Sequence, residues 1–162
     1  MKSIAFFTVD EAYVDYLRTV EPRLFGNARP GQGHSRKYLG IIFQVKGMNY
    51  FAPLSSFKSK HRKMKNSLDF IKIGEYAVVN LNCMFPAPDA VVSRVDFSQE
   101  KDGRYRSLLL AEYRIVKRSQ EKIRKNAENL YRHKVEFGNS TKLAARCNDF
   151  VALEKASSTY LA

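Results

Sequence analysis

Two serines and a run of cationic side chains directly follow an apolar segment and could handle a phosphodiester. Ser55 and Ser56 come after the segment 50–54 (YFAPL). They are followed in the sequence by Lys58, Lys60, His61, Arg62, Lys63 and Lys65. Lys and Arg stabilise phosphate charge, and serine hydroxyls can hold phosphate oxygens. The competing interpretation is a solvated, charged surface segment without a ligand.

The residues around the serines are predicted to form a β-hairpin. Segment 38–45 (YLGIIFQV) is apolar and rich in β-branched and aromatic residues, which indicates a buried strand. Residues 46–48 form the predicted turn, and 49–54 returns as the second strand. Pro53 is expected to end the ladder, because proline has no backbone N–H.

This hairpin would bring a second basic segment to the serines. The loop before its first strand, 27–37 (NARPGQGHSRK), carries Arg29, His34, Arg36 and Lys37. Antiparallel pairing places the start of one strand beside the end of the other. We therefore expect Arg36 and Lys37 to lie at the same end of the sheet as Ser55 and Ser56.

Short strands and helices make up the rest of the predicted domain. Thr8 and Glu11 have capping-box spacing, so a helix is predicted to begin at Thr8 and to stop at Pro22. The other predictions are strands over 4–8, 70–73 and 76–81, an edge segment over 82–92, and helices over 141–147 and 149–159. Together these elements predict one α+β domain spanning residues 1–162.

The longest periodic segment, 104–134, predicts a helix that Gly138 terminates. Its core face alternates with a basic stripe, which is the electrostatic pattern expected of a nucleic-acid-binding surface. The stripe consists of Arg104, Arg106, Arg114, Lys117, Arg118, Arg124 and Lys125. A helix lying on a membrane surface is an alternative, but it would need an apolar face that this domain requires for its core.

The composition favours a polyanionic partner. The chain has 162 residues with 28 Lys+Arg against 16 Asp+Glu, and its formal net charge is +12. Hydrophobic residues make up 44%, which is enough for a folded core. Nucleic acid is the first candidate partner, and an anionic membrane is the second.

The cysteines and the N-terminus indicate a reducing, cytoplasmic setting. Cys83 and Cys147 are far apart and lack CxxC spacing, so we expect two buried thiols rather than a disulfide or a zinc site. No segment approaches the roughly 20 apolar residues of a membrane span, and no signal peptide is expected. The sequence shows no cluster of metal-binding residues, so no metal and no cofactor are expected.

Metal-free RNA cleavage is the reaction that these residue types would suit. The 2′-hydroxyl attacks the neighbouring phosphate and leaves a 2′,3′-cyclic phosphate, while the protein orients the backbone and moves protons. His61 and His34 are both candidates for proton transfer, since histidine titrates at about pH 6.5. A non-catalytic basic nucleic-acid-binding regulator remains the alternative from the residues alone.

A motif in the hairpin resembles the ToxN/AbiQ family, the protein toxins of type III toxin–antitoxin systems. The resemblance rests on segment 38–41 (YLGI) and above all on 46–58 (KGMNYFAPLSSFK), where APLSSxK is the specific part. It extends through 105–109 (YRSLL), 147–150 (CNDF) and 153–154. Within the family the chain is most similar to the CptN branch.

The resemblance implies properties that the residue patterns do not show. The fold would be a compact, strongly twisted antiparallel β-barrel of the Kid/MazF, SH3-like type with added helices. The activity would be that of a sequence-specific, metal-independent endoribonuclease that causes growth arrest and defends against phage. A repeat-derived pseudoknot RNA antitoxin would inhibit it, and protein and RNA would close into a cyclic complex.

The family's site residues transfer to numbered positions here. The [ST]-S-x-K motif falls on Ser55, Ser56 and Lys58, and the basic residue before the strand falls on Arg36 or Lys37. Tyr13 matches a helix tyrosine that lines the family's site, and His61 matches a histidine three residues after the lysine. The resemblance leaves open which residue transfers the proton.

Overall fold

The computed structural model describes residues 3–27 and 34–160 and confirms an α+β architecture with a long helix. Within these ranges three short 3-10 helices lie between strands, the longest covering Ser59–Lys63, and a fourth, Phe97–Gln99, precedes the long helix. The strands and α-helices are, in chain order, β1 (Ala5–Val9), α1 (Glu11–Val20), β2 (Tyr38–Gly40), β3 (Gln44–Val45), β4 (Met48–Ser56), β5 (Phe70–Ile73), β6 (Ala77–Asn80), β7 (Phe85–Ala87), β8 (Val92–Arg94), α2 (Gly103–Phe137), α3 (Lys142–Ala145) and α4 (Phe150–Thr159).

All strand pairings are antiparallel and form one open sheet. Its order is β5-β6-β4-β2-β1-β8, and β3 and β7 each pair with β4 outside this path. In the part of the chain that the structure describes, no pairing joins β5 to β8. The antiparallel sheet is as predicted, whereas the closed Kid/MazF-type barrel is not confirmed.

Strand β4 organises the sheet because different strands pair with its two halves. Its first half lies between β3 and β7, and its second half lies between β2 and β6. The prediction that Pro53 ends the ladder is wrong, since β4 continues to Ser56. Pro53 faces Tyr38, and the neighbouring Leu54 N–H donates to Lys37 O at 3.0 Å, so the ladder passes the proline.

Side-chain alternation along the strands divides the core into two layers. Leu39 and Tyr50 pack with the buried side of α2, whereas Tyr38 and Phe51 pack with α1 and α4. Successive residues of a strand point to opposite faces, so the almost continuous apolar runs of β2 and β4 serve both layers. The helices therefore cover the sheet from two sides.

The predicted single strand over 38–45 is divided in two. β2 ends at Gly40, whose Cα lies so close to the Phe51 ring that a Cβ there would overlap ring carbons. β3 begins only at Gln44, although Ile42 N–H donates to Tyr50 O and Tyr50 N–H donates to Phe43 O before it. Arg124 Nη2 of α2 donates to Ile41 O at 3.2 Å in the same stretch. The hairpin itself, with its turn at Lys46 and Gly47, is confirmed.

Helix boundaries follow local capping, with one correction. The predicted helix start at Thr8 is wrong, because Thr8 is extended in β1 opposite Ser93 and α1 begins after Asp10. Helix α2 begins after Asp102, whose carboxylate accepts from two backbone N–H groups of the first turn. It ends before Gly138, which has a φ of 59° as the predicted terminator requires.

Helix α4 is tied to the sheet and to α2 through one buried carboxylate. Glu154 is 4% exposed and accepts from Tyr50 Oη at 2.6 Å and from Tyr131 Oη at 2.7 Å. Lys46 Nζ at the hairpin turn lies 3.1 Å from the same carboxylate. Burial, and then the hydrogen bond and charge of Glu154, raise the pKa of both tyrosines, so their hydroxyls remain donors.

The two cysteines are buried, free thiols, as predicted. Burial raises the pKa of Cys83 to about 12 and that of Cys147 to about 11. Neither thiol therefore ionises readily at neutral pH.

Candidate functional site

Arg36 and Ser55 meet at the end of the hairpin, as the antiparallel pairing predicted. Arg36 Nη1 donates to Leu54 O at 2.9 Å and to Ser55 Oγ at 3.2 Å. Its Nε donates to Gly26 O at 3.1 Å, and its guanidinium lies 4.9 Å from the Phe25 ring centre. The cation is thus held in place beside the serine before any ligand binds.

A cleft of about 290 Å³ opens beside this pair. The end of β4, the first turns of α2, the loop before β2 and the β5–β6 turn contribute to its lining. Residues that line it are His34, Lys37, Leu54, Ser55, Ser56, Tyr76, Asp102, Arg104, Tyr105, Leu108, Leu109 and Glu112. Three predicted catalytic positions therefore join the serines: His34 and Lys37 line the cleft, and Arg36 contacts Ser55 without lining it.

Ser55 accepts hydrogen bonds from two sides. Asn80 Nδ2 on β6 donates to Ser55 Oγ at 3.1 Å, in addition to Arg36. Because Ser55 Oγ accepts both bonds, its own proton can be donated to a further acceptor, such as a phosphate oxygen. This geometry suits a serine that positions a phosphate.

His34 stacks on α2 instead of extending into solvent. Its ring lies 3.8 Å from the Tyr105 ring centre at an interplanar angle of 10°. Its Nε2 is 3.3 Å from Asp102 Oδ2, and its Nδ1 is 3.7 Å from Glu100 Oε1. The hydrogen bond from Tyr105 N and then the contact with His34 lower the pKa of Asp102, so this carboxylate stays charged beside the imidazole.

Lys58 and His61 belong to the turn that leaves the cleft. Lys58 is exposed, and its backbone N–H donates to His61 Nδ1 at 2.8 Å. His61 is only 6% exposed and contacts the rings of Phe57 and Phe70. The structure thus places His61 as a buried acceptor that shapes the turn and holds Lys58, and not in the cleft as expected of a proton-transfer group.

We expect the free energy of unfolding to depend on the protonation of His61. Burial, and then the charges of Lys60, Lys58 and Lys72, lower its pKa below the usual 6.5. The unfolded chain therefore binds this proton first, so the contribution is present above about pH 6.5 and is lost as the pH falls through the lowered folded-state pKa. A single group changes stability by at most about 1.4 kcal/mol per pH unit.

Urea unfolding at pH 7.5 and 5.5 measures this dependence. His61→Asn retains an acceptor for the Lys58 N–H but cannot titrate. We expect the variant to lose less stability than the unmodified chain over this interval. Equal losses in both proteins would contradict the assignment.

Of the predicted RNA-contacting residues, Tyr13 needs correction and Arg29 is not described by the structure. Tyr13 has no exposed surface, and its hydroxyl donates to Pro86 O at 2.6 Å and contacts Ser157 Oγ at 2.9 Å. It packs under α4 beside Tyr160, so the expectation that it lines the site is wrong. Arg29 lies outside the described residues.

The predicted basic stripe on α2 is mostly a surface feature. Arg106 donates to Glu100 O at 2.6 Å, and Arg124 contacts Ile41 O and Gln120, so these two also stabilise the fold. Burial lowers the pKa of Arg124. The exposed members are Arg104, Arg114, Lys117, Arg118 and Lys125.

A second basic surface adjoins the serines along the chain. A shallow groove of about 730 Å³ between the Ser59–Lys63 turn and the β5–β6 hairpin is lined by Arg62, Lys63, Lys65 and Lys72. Lys60 is exposed on the same turn, and Arg62 forms a loose ion pair with Glu75 at 3.6 Å. These cations stay available to a polyanion.

Of the cleft residues on α2, sequence reasoning had named only Arg104. Tyr105, Glu112 and Asp102 reach the serines only because the first turns of α2 dock at the end of β4. Asp102 carried a local signal, since an aspartate before a long periodic segment is a typical N-cap. Tyr76 and Asn80 had no such signal.

The described ranges 3–27 and 34–160 contain neither a metal-binding cluster nor a membrane-spanning helix. No group of three or more His, Cys, Asp or Glu side chains there is placed to hold a metal ion. No helix in these ranges is both long and apolar enough to cross a membrane.

The sequence matches the family model described as toxin ToxN of type III toxin–antitoxin systems over residues 5–158. The chain belongs to the ToxN toxin family. Endoribonuclease ToxN of Bacillus thuringiensis subsp. kurstaki is 27% identical over 96% of this chain and 83% of its own length. Endoribonuclease AbiQ of Lactococcus lactis subsp. lactis is 26% identical over 98% of this chain and 90% of its own length.

Solved structures of ToxN-type toxins share the fold. A type III toxin from a study of selective toxin inhibition by a non-coding RNA pseudoknot superposes with a TM-score of 0.81 at 25% identity, over 98% of both chains. AbiQ, described as a lactococcal anti-phage endoribonuclease, superposes with a TM-score of 0.84 at 23% identity, also over 98% of both chains. The family and enzyme class predicted from the sequence, an endoribonuclease toxin of a type III system, are confirmed by these matches.

Proposed function

We propose that this ToxN-family toxin cleaves RNA without a metal, by attack of the 2′-hydroxyl on the adjacent phosphate. The observation that carries the proposal is the hydrogen bond from Arg36 to Ser55, a serine that lines the cleft. It places a fixed cation and a hydroxyl together at one position, as a phosphorane needs. The reaction leaves a 2′,3′-cyclic phosphate and a free 5′-hydroxyl, and it requires RNA because DNA lacks the attacking group.

The cleft residues divide into phosphate binding and proton transfer. Arg36, Lys37 and Lys58 would stabilise charge on the scissile phosphate, and Ser55 and Ser56 would position its oxygens. His34 is the better candidate for proton transfer, because it lines the cleft with the serines whereas His61 is buried behind Lys58. His34 would have to exchange one of its carboxylate contacts for the substrate.

The same basic surfaces would bind the inhibitor. A repeat-derived pseudoknot RNA would act as antitoxin, and protein and RNA would close into a cyclic complex that occludes the cleft. The exposed cations of α2 and of the groove beside the Ser59–Lys63 turn would contact its backbone. Without the antitoxin, cleavage of cellular RNA in the cytoplasm would arrest growth and limit phage.

Incubation of the purified protein with RNA and a chelator tests the reaction. We expect fragments with 2′,3′-cyclic phosphate ends, and Lys58→Ala should slow their formation about 10²-fold, since it removes a cation from the transition state. Lys155→Ala, which changes an exposed lysine on α4, is the matched control and should cleave normally. Lys58→Ala cleaving at the unmodified rate would refute the assigned role.

A non-catalytic RNA-binding regulator predicts a different result. Such a protein would bind RNA with steep salt dependence, leave it intact, and cause no growth arrest on expression. Intact RNA after prolonged incubation would therefore support the regulator and contradict the nuclease.

A further inference from the structure

The turn between β5 and β6 places one tyrosine at the rim of the cleft. Ser56 pairs with Ala77 in the β4–β6 ladder, and Phe57 N–H donates to Tyr76 O at 3.3 Å. Tyr76 therefore lies opposite Phe57, one position beyond the Ser56–Ala77 pair. It lines the same cleft as the serines, yet it is 46% exposed.

The Tyr76 ring lies close to the glycine of the turn. Gly74 has a φ of 57°, a conformation that favours glycine. A Cβ on Gly74 would lie 2.9 Å from Ile115 Cδ1 and 3.3 Å from Tyr76 Cδ2. The edge of the ring thus lies close to the backbone of the turn, while Tyr76 remains 46% exposed.

The two tyrosines of the cleft, Tyr76 and Tyr105, differ in what lies against their rings. Tyr105 has His34 stacked on its ring at 3.8 Å, and Lys37 Nζ lies 5.3 Å from its centre. Among the residues that the structure describes, no aromatic ring and no cation stacks on Tyr76. The Tyr76 ring is thus an exposed, positioned aromatic surface beside a phosphate site.

We propose that Tyr76 is a nucleobase subsite, on which a base flanking the scissile phosphate stacks. The inference rests on the proposed cleavage reaction, because Ser55, Ser56 and Lys37 in the same cleft would hold that phosphate. Single-stranded RNA presents unstacked bases, and tyrosine faces bind them through stacking. Tyr76 thereby orients the nucleotide and contributes to the choice of cleavage site.

Cleavage kinetics of Tyr76 variants test the subsite. Sites of cleavage by the unmodified toxin are first mapped in total RNA, and the most frequent one is placed in a short RNA. Tyr76→Ala should lower its single-turnover cleavage rate at subsaturating protein about 5- to 150-fold, the range that loss of one base–aromatic stack gives. Tyr76→Phe retains the ring and should cleave at the unmodified rate.

An abasic scan adds a readout that a structural role of Tyr76 would not change. Removing the base at one position next to the scissile phosphate should lower the cleavage rate of the unmodified toxin by the same 5- to 150-fold. The same RNA should be cleaved by Tyr76→Ala at nearly the rate of the intact RNA, because the stack is already lost. Phe137→Ala, which removes a similarly exposed ring at the other end of α2, is the matched control and should behave like the unmodified protein.

The outcomes separate the subsite from the reaction. A Tyr76→Ala variant with the rate and abasic penalties of the Phe137→Ala control would overturn the subsite and leave the nuclease intact. Tyr76→Phe as slow as Tyr76→Ala would overturn stacking, because the hydroxyl would then be responsible. An unmodified protein that cleaves no RNA would overturn both proposals.

Discussion

Arg36→Ala should slow RNA cleavage about 10²- to 10³-fold, the loss typical of removing one preorganised charge-stabilising donor. The guanidinium is already fixed by Gly26 O, Leu54 O and Ser55 Oγ, so little reorganisation is needed when phosphate charge develops. Single-turnover rates on an RNA with a mapped cleavage site measure this effect. Binding of a 2′-O-methyl version of that RNA shows how much of the loss is affinity.

Arg36→Lys distinguishes charge from geometry. Lysine retains the cation, but it lacks the planar fork that donates to Leu54 O and Ser55 Oγ from one nitrogen and to Gly26 O from another. We expect it to remain at least about tenfold slower than the unmodified toxin. Arg132→Ala, an exposed arginine on α2, is the control, and the assignment fails if Arg36→Ala is no slower than this control.

Glu154→Ala should lower the free energy of unfolding by about 2–6 kcal/mol. The substitution leaves the fully buried Tyr50 hydroxyl without its acceptor and takes the acceptor of Tyr131, and each lost partner costs about 1–3 kcal/mol. It also removes the hydrogen bonds that connect α4 to β4 and to α2. Urea unfolding at pH 7.5 measures the change.

Conservative changes show whether the loss comes from the hydrogen bonds. Glu154→Gln retains a carbonyl acceptor and should lose less than alanine, and Tyr50→Phe removes the donor. The double variant Tyr50→Phe with Glu154→Ala should be less destabilised than the sum of its parts, since the two changes remove one shared bond. Glu121→Ala, an exposed glutamate on α2, should change stability by less than about 0.5 kcal/mol.

Local patterns predicted the long helix, the hairpin and the segments that meet at its end. Periodicity and the terminal Gly138 located α2, and the apolar runs with a glycine turn located the hairpin. Because hairpin pairing is short-range, it also predicted that Arg36 and Lys37 would lie at the same end of the sheet as Ser55 and Ser56. In the structure Arg36 contacts Ser55 there. Local patterns failed at Thr8, which fits a capping box but is held in β1 by a long-range pairing with β8.

Local sequence patterns could not predict which side chains distant elements would bury. Tyr13 was expected in the site, but α4 covers it from the far end of the chain. His61 fits a proton-transfer group by type, and only burial against Phe57 and Phe70 shows its role in the turn.

The sequence by itself determined the family, the basic character and the serine–arginine pair of this toxin, because motif, charge and hairpin register are local properties. Only the tertiary structure decided what faces that pair. The docking of α2 against the end of β4 supplies Tyr105 and Asp102, and the β5–β6 turn supplies Tyr76. These contacts join segments far apart in the chain, and the packing of the whole core sets them rather than any local preference.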